Sequence, residues 1–257
     1  PEPSPQEKTP DLSTPPEKNT PEISSPESRL PESSVGSPVT VRISSAADVV
    51  TSYLMSGSAW NYFHGKTIKL GRHSNLAHTS YFTAFRFQNL NVPKGATIRS
   101  AHLSFYPHNE VDSSHRLMIN IYAEKKENSP AYNPKDYKKG RPDQRLKTKA
   151  KIDRWIVRCN SDCSSDVNSR KYEYNCEQRK KDCWNRQKMY KVPKDLKSIL
   201  QEVISLPGWK AGNAISIFLF NAATDRDGKN YKDSRTVVGF DGGQKAKAPQ
   251  LVVDFQK

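Results

Sequence analysis

Short segments rich in aromatic and β-branched residues recur along the chain from Val39 onward, and such segments are typical of β-strands. Within residues 98–106, Ala101, Leu103 and Phe105 alternate with polar residues, so one face of the predicted strand is apolar and the other faces water. The pattern predicts strands at 67–70, 79–87, 98–106, 117–123, 150–157, 214–221, 236–240 and 251–255. A chain with this many strand segments is predicted to be all-β.

One segment has helical rather than strand periodicity. Between Pro193 and Pro207 the apolar residues recur at i, i+3, i+4, i+7 and i+8, which places them on one stripe of an amphipathic helix. They are Leu196, Ile199, Leu200, Val203 and Ile204. Many strands with a single helix favour a β-sandwich of the jelly-roll kind, in which the helix covers one open edge or end of the sheets.

Residues 1–38 differ from the rest of the chain in composition. They hold ten of the 18 prolines, repeat Pro-Glu at a five-residue interval and contain few residues able to form a core. Proline-rich sequence of this kind is extended and semi-stiff, so we expect a stalk or linker over residues 1–38. A disordered end without a role is the alternative. The β-sandwich domain is then expected over residues 39–257.

Three segments of this domain are similar, in order, to motifs of a known family. Residues 92–105 (VPKGATIRSAHLSF), residues 195–215 (with DLKSILQEVI, PGW and GNAI) and residues 248–255 (APQLVVDF) resemble the DNRLRE-like jelly-roll domains, a carbohydrate-binding-module-like family. The Asp-Asn-Arg-Leu-Arg-Glu string that names the family is absent, and residues 82–87 lie at the related position. The resemblance implies a non-catalytic β-sandwich module of secreted and cell-surface proteins, some members of which bind acidic polysaccharides.

All four cysteines fall within 25 residues of an insertion at 157–186, where the family has a short link. They are Cys159, Cys163, Cys176 and Cys183. A zinc site is one interpretation, but the spacing from Cys176 to Cys183 is longer than zinc knuckles favour. Two disulfides fit this polar, charged loop better, and a nested pairing would tie the loop at its base and near its tip. Disulfides predict an oxidising compartment, and hence a secreted or cell-surface protein.

Positive charge is concentrated in the same part of the chain. The formal net charge is +14, and residues 125–191 alone hold 20 basic and 9 acidic residues. Alternate basic residues of a strand over 145–151 would form a stripe on one face, consisting of Arg145, Lys147, Lys149 and Lys151. Such a surface attracts polyanions and binds them less tightly as salt concentration rises. The candidate ligand-binding residues are Tyr137, Lys138, Lys139, Arg141, Arg179, Lys180, Lys181, Trp184 and Arg186.

The predicted function is that of a non-catalytic, extracellular binding module for an anionic or sulfated polysaccharide. A structural or adhesion domain that contacts matrix proteins, cell-surface proteins or copies of itself is the alternative. A solvated basic face without a ligand is a third interpretation. Nucleic acid is disfavoured because no helix-turn-helix, RNP-like or zinc-finger pattern accompanies the charge.

The common signatures of enzymes are missing from the sequence. It contains no His-Glu-x-x-His, Gly-x-Ser-x-Gly or phosphate-loop motif, so catalysis is not expected. No cofactor is expected either. Asp225, Asp227 and Asp233 resemble part of a calcium loop, but Lys229 takes the place of an oxygen ligand, so a plain turn is favoured there. No apolar run is long enough to span a membrane.

Overall fold

The computed structural model describes residues 37–54, 60–72, 79–108, 117–133, 140–157, 184, 186–223 and 234–257. In chain order the strands are β1 (Val39–Arg42), β2 (Val49–Leu54), β3 (Trp60–His64), β4 (Thr67–Gly71), β5 (Phe82–Phe87), β6 (Thr97–Phe105), β7 (Leu117–Ala123), β8 (Ile152–Val157), β9 (Tyr190–Lys191), β10 (Ile215–Asn221), β11 (Ser234–Val238) and β12 (Gln250–Gln256). The α-helix α1 is Lys197–Ile204, and short 3-10 helices lie at Ala46–Asp48, Pro142–Gln144 and Gly242–Lys247. The described structure is therefore mostly β.

The strands form three antiparallel sheets. A four-stranded sheet has the order β1-β12-β6-β9, a six-stranded sheet has the order β3-β2-β5-β10-β7-β8, and β4 pairs with β11. In the six-stranded sheet, Phe218 of β10 lies opposite Ala84 of β5 on one side and Tyr122 of β7 on the other. A bridge between Pro107 and Val237 connects the β4–β11 pair to the residues that follow β6.

The main hydrophobic core collects the inward-facing residues of both larger sheets. Leu103 and Val253 enter it from the four-stranded sheet, and Phe85 and Ile217 enter it from the six-stranded sheet. Each strand contributes every second residue to this shared core. The core therefore lies between the two sheets, which face one another in a sandwich-like arrangement. A smaller cluster covers the other face of the six-stranded sheet and consists of Val50, Ala84, Tyr132, Phe218 and Phe220.

Helix α1 lies along the edge of β6 and buries its apolar stripe in the main core. Leu196, Ile199, Leu200, Val203 and Ile204 are all fully buried, which confirms the stripe predicted from their spacing. Polar side chains next to the stripe accept hydrogen bonds from backbone amides of β6. The Ile98 amide donates to Gln201 Oε1 at 2.8 Å, and the Ala101 amide donates to Asp195 Oδ1 at 2.8 Å. These bonds satisfy strand donors that no further strand pairs.

The eight predicted strand segments each overlap an observed strand, although several boundaries differ. The strand predicted from residue 79 begins at Phe82, and the strand predicted from residue 150 begins at Ile152. The helix begins at Lys197 rather than next to Pro193. Four strands were not predicted individually, namely β1, β2, β3 and β9.

Glu202 on α1 ties the helix to the chain that precedes β8. Its carboxylate accepts hydrogen bonds from the Lys149 amide at 3.0 Å and the Ala150 amide at 2.8 Å, and it lies 3.2 Å from Lys125 Nζ. Burial acts to raise the pKa of Glu202, but the three donors outweigh it and lower the pKa below its ordinary value of 4.5.

We expect Glu202→Gln to lower the free energy of unfolding by about 1–2 kcal/mol at pH 7, because an amide oxygen accepts these bonds more weakly than a carboxylate. Because the folded pKa is lowered, the contribution of the charge is present above pH 4.5 and is lost as pH falls through the folded value. Urea denaturation at neutral and acid pH should therefore show the difference between the two proteins shrinking in acid. The exposed Asp153→Asn is the control, and an equally small effect of both substitutions at pH 7 would contradict the prediction.

Candidate functional site

Strands β8 and β9, at the edges of the two larger sheets, are joined by a cluster of aromatic side chains. The rings of Trp155 and Tyr190 lie 6.1 Å apart between centroids, those of Trp184 and Tyr190 lie 5.3 Å apart, and those of Phe105 and Trp184 lie 5.8 Å apart. Trp155 and Trp184 are each only 2% exposed. We call Phe105, Trp155, Trp184 and Tyr190 the aromatic seam. The seam closes one side of the main core.

The cysteine-bearing insertion begins and ends at the aromatic seam. Strand β8 ends at Val157, two residues after Trp155, and the next described residue is Trp184. Both ends of residues 158–183 are therefore fixed to one buried cluster. The four cysteines and the two predicted disulfides lie outside the described residues.

Exposed cations lie on both sides of the aromatic seam. From β9 to the start of α1, a lysine occurs at every third position, and all four are exposed: Lys188, Lys191, Lys194 and Lys197. On the β8 side, Lys149, Lys151 and Arg154 are exposed, as is Arg186 next to the seam. We call these eight residues the basic edge.

The backbone from Tyr190 to Leu196, which carries Lys191 and Lys194 and leads to Lys197, is bonded along β6. The Val192 amide donates to the Leu103 carbonyl at 2.9 Å, and the Leu196 amide donates to the Ala101 carbonyl at 2.8 Å. The side chains of Val192 and Leu196 are fully buried, so this segment is anchored on its inner side while the lysines face solvent. Because Leu103 and Ala101 are two residues apart on one strand, Val192 and Leu196 are separated by about 7 Å along the edge.

Few carboxylates oppose the charge of the basic edge. Asp195 accepts hydrogen bonds from the amides of Ala101 and Lys197, at 2.8 and 2.9 Å. Glu202 is engaged by Lys125 and two amides. Asp153 pairs with Lys151 at 3.1 Å, and both side chains remain substantially exposed. Positive charge therefore dominates the described residues on this side of the molecule.

Three of the nine predicted ligand-binding residues are described. Arg186 is exposed and belongs to the basic edge. Arg141 is half-buried, and its Nε and Nη2 donate to the two carboxylate oxygens of Asp143 at 3.1 Å each. Trp184 requires a correction, because it is buried in the aromatic seam and does not present its ring to solvent. The other six lie outside the described residues: Tyr137, Lys138, Lys139, Arg179, Lys180 and Lys181.

The predicted basic stripe over 145–151 is wrong. This stretch is not a strand; within it only Lys147 forms an isolated bridge, with Glu124. Arg145 points inward, where its Nη1 donates to Glu124 Oε2 at 3.0 Å, while the next residue, Leu146, is 68% exposed. The guanidinium carbon of Arg145 lies 3.9 Å from the centre of the Tyr132 ring, and burial raises the pKa of that tyrosine.

Sequence reasoning missed four lysines of the basic edge as site residues, namely Lys188, Lys191, Lys194 and Lys197. Their three-residue interval matches neither the strand period of two nor the helix period of 3.6, so neither pattern places these lysines on a common face. The signal is nevertheless visible in the sequence, as four lysines that repeat with two other residues between them from Lys188 to Lys197.

In the described part of the chain, no group of three or more His, Cys, Asp or Glu residues is placed to hold a metal ion. No helix in these ranges is long and apolar enough to cross a bilayer. The calcium-like segment from Asp225 to Asp233 falls outside these ranges.

Fold and site together define an all-β protein with a positively charged edge that flanks an insertion. No protein-family model matches the chain, and no curated protein matches it. The resemblance to DNRLRE-like domains therefore depends on the sequence motifs alone, and a function has to be argued from the chain's own residues.

Proposed function

We propose that the chain is a non-catalytic, extracellular binding module that holds an anionic polysaccharide, sulfated or rich in uronic acid, against its basic edge. In this proposal the scaffold is a β-sandwich of the jelly-roll kind, the insertion is linked by two disulfides, and residues 1–38 are the stalk. The observation that carries the proposal is the run of four exposed lysines at three-residue intervals on a fixed backbone.

The regular spacing of the lysines suits a ligand whose own charges recur along a chain. Ammonium groups attract anions without demanding one geometry, so a row of them is suited to a repeating polyanion. Arg186 adds a planar guanidinium group, whose parallel N–H donors fit carboxylate or sulfate. Since the backbone from Val192 to Leu196 is already bonded to β6, binding does not have to order it, which reduces the entropic cost of association.

We expect the quadruple variant K188Q/K191Q/K194Q/K197Q to bind heparin about 100-fold more weakly than wild type at low salt, with a flatter dependence of affinity on salt concentration. The matched control is K66Q/K94Q/K210Q/K257Q, which removes the same charge from exposed lysines elsewhere and should change affinity by less than about three-fold. Titration at several salt concentrations measures both effects.

Two results would count against the proposal. Equal losses in the two quadruple variants would show that total charge, rather than the basic edge, governs binding. A wild-type protein that ignored both heparin and polyuronate at low salt would reject a polysaccharide ligand. Self-association measured by light scattering, without glycan binding, would then favour the structural or adhesion alternative.

A further inference from the structure

Four polar side chains form a continuous row across the outer face of the four-stranded sheet. Arg42 of β1 lies opposite Gln250 of β12, Gln250 lies opposite Ser104 of β6, and Ser104 lies opposite Lys191 of β9. Directly opposed residues of antiparallel strands point to the same face, so the register alone aligns them. Three inter-strand steps give the row a length of about 14 Å. We call Arg42, Gln250, Ser104 and Lys191 the polar row.

The opposite face of the same strands is apolar, which fixes the orientation of the polar row. Val41, Leu251 and Leu103 are the residues next to Arg42, Gln250 and Ser104, and they pack in the main core. The two ends of the row, Arg42 and Lys191, are exposed, Gln250 is half-buried, and Ser104 is buried, with only 4% of its surface exposed. The row is therefore a shallow polar floor with a cation at each end.

The floor contains hydrogen-bonding atoms that the protein does not satisfy. Gln250 Oε1 and His102 Nδ1, which lies two residues from Ser104 on the same face of β6, are enclosed and have no hydrogen-bond partner. Buried polar atoms are nearly always paired, because leaving one unpaired costs about 1–3 kcal/mol. Amide, hydroxyl and imidazole groups together offer both donors and acceptors, as sugar hydroxyls do.

The cations at the ends of the row differ in how firmly they are held. Arg42 Nη1 donates to the Ala246 carbonyl at 3.1 Å and to the Ala248 carbonyl at 3.5 Å, which fixes the guanidinium beside Gln250. Lys191 belongs to the basic edge, so the polar row meets the basic edge at this residue. A chain held by the basic edge can therefore continue from Lys191 across the sheet to Arg42.

We propose that the polar row is a saccharide subsite, which binds a short acidic segment whose hydroxyls contact the half-buried Gln250 and His102 and whose anionic groups reach Lys191 and Arg42. This inference rests on the proposed function and deepens it. The basic edge attracts any linear polyanion, whereas the polar row selects those built of sugars. Selectivity of this kind arises because a ligand without hydroxyls leaves the buried polar atoms unpaired.

The test compares a heparin-derived tetrasaccharide with an oligoglutamate of equal charge, using isothermal titration at low salt. The double variant H102A/Q250A should lose about ten-fold in affinity for the tetrasaccharide and should bind oligoglutamate within two-fold of wild type. The matched control H108A/Q144A removes the same residue types at exposed positions elsewhere and should leave both affinities unchanged.

A second variant leaves His102 and Gln250 unchanged and alters only the far end of the row. Arg42→Gln, at the far end of the row, should weaken binding of the tetrasaccharide about three-fold but leave a heparin-derived disaccharide, which is too short to span the row, unaffected. Thermal melting of each variant verifies that it is folded.

The outcomes separate the two proposals. If wild type binds the tetrasaccharide but H102A/Q250A and Arg42→Gln bind it equally well, the subsite is overturned and the polysaccharide function stands. If wild type binds neither probe, the proposed function fails together with the subsite. If H102A/Q250A loses affinity for both probes to the same extent, the two side chains do not distinguish sugars from other polyanions, and the proposed sugar selectivity is rejected.

Discussion

Arg145→Met is expected to lower the free energy of unfolding by about 3–5 kcal/mol, because it leaves a buried carboxylate without its counter-charge. Arg145 and Glu124 form an ion pair at 3.0 Å, and their side chains are only 7% and 5% exposed. Ser129 Oγ also donates to Glu124, so that carboxylate is held inside whether or not the arginine is present. For a domain of this size the loss corresponds to a fall in Tm of about 10 °C.

Arg145 also ties the backbone at Pro130, Ala131 and Gly140 to the six-stranded sheet. Its Nη1 donates to the Pro130 carbonyl at 2.8 Å, its Nη2 donates to the Ala131 carbonyl at 3.2 Å, and its Nε donates to the Gly140 carbonyl at 2.9 Å. Arg145→Lys keeps the charge but loses the fork that makes these bonds, so we expect it to recover less than half of the lost stability.

Chemical denaturation of wild type and of five variants, R145M, R145K, K151M, E124Q and E124Q/R145M, checks this prediction. Lys151→Met breaks an exposed pair whose side chains are 43% and 56% exposed, and it should cost at most about 1 kcal/mol. The double variant E124Q/R145M should lose less than the sum of the two single changes, because neither partner is then left charged. An Arg145→Met protein as stable as Lys151→Met would show that the buried pair contributes nothing.

Trp184→Ala is the second substitution with a large expected effect. The indole is buried against Phe105 and Tyr190, so its removal should create a cavity at the aromatic seam and lower the free energy of unfolding by about 3–5 kcal/mol. Trp184→Phe keeps most of the buried area and should lose only about 1–2 kcal/mol.

The two Trp184 variants also show whether this tryptophan is a core residue or a surface residue that binds a ligand. A tryptophan that stacks on a ligand from the surface would lose binding on truncation while the protein stayed stable. Urea denaturation together with heparin titration of Trp184→Phe distinguishes the two roles. We expect heparin affinity of that variant to stay within two-fold of wild type, and a stable Trp184→Ala protein that no longer bound heparin would contradict the assignment to the core.

The parts of the fold that the sequence predicts best are those whose hydrophobic residues recur with the regular period of a strand or a helix. Strand β6 buries Ala101, Leu103 and Phe105 as expected, although the polar Ser104 is buried too, and α1 together with the preceding Leu196 buries the five residues that the helical spacing indicated. Strand β2 was missed because Thr51 and Ser52 are buried although polar. Thr51 Oγ1 lies 2.9 Å from Thr83 Oγ1 and 3.2 Å from the Lys69 carbonyl, so these partners, which are distant in sequence, satisfy the hydroxyl.

The positions of the predicted site residues depend on contacts between residues distant in the sequence, which no local pattern reveals. Alternation placed Arg145 on a solvent-facing stripe, but its partner Glu124 lies 21 residues earlier in the chain and draws it inward. Trp184 lies among the charged residues of the insertion, yet it packs against Phe105 of β6. The polar row could not be anticipated, because it depends on the pairing of four strands from separate parts of the chain.

The aromatic seam has a consequence for how this chain can vary. Since Val157 and Trp184, the described residues on either side of 158–183, are both buried in the main core, the entropic cost of joining them rises only slowly with the number of residues between them. A longer or shorter segment at this position should therefore cost the sheets little stability. The same junction is a natural place to graft a foreign peptide, because the framework residues at either end are already immobilised.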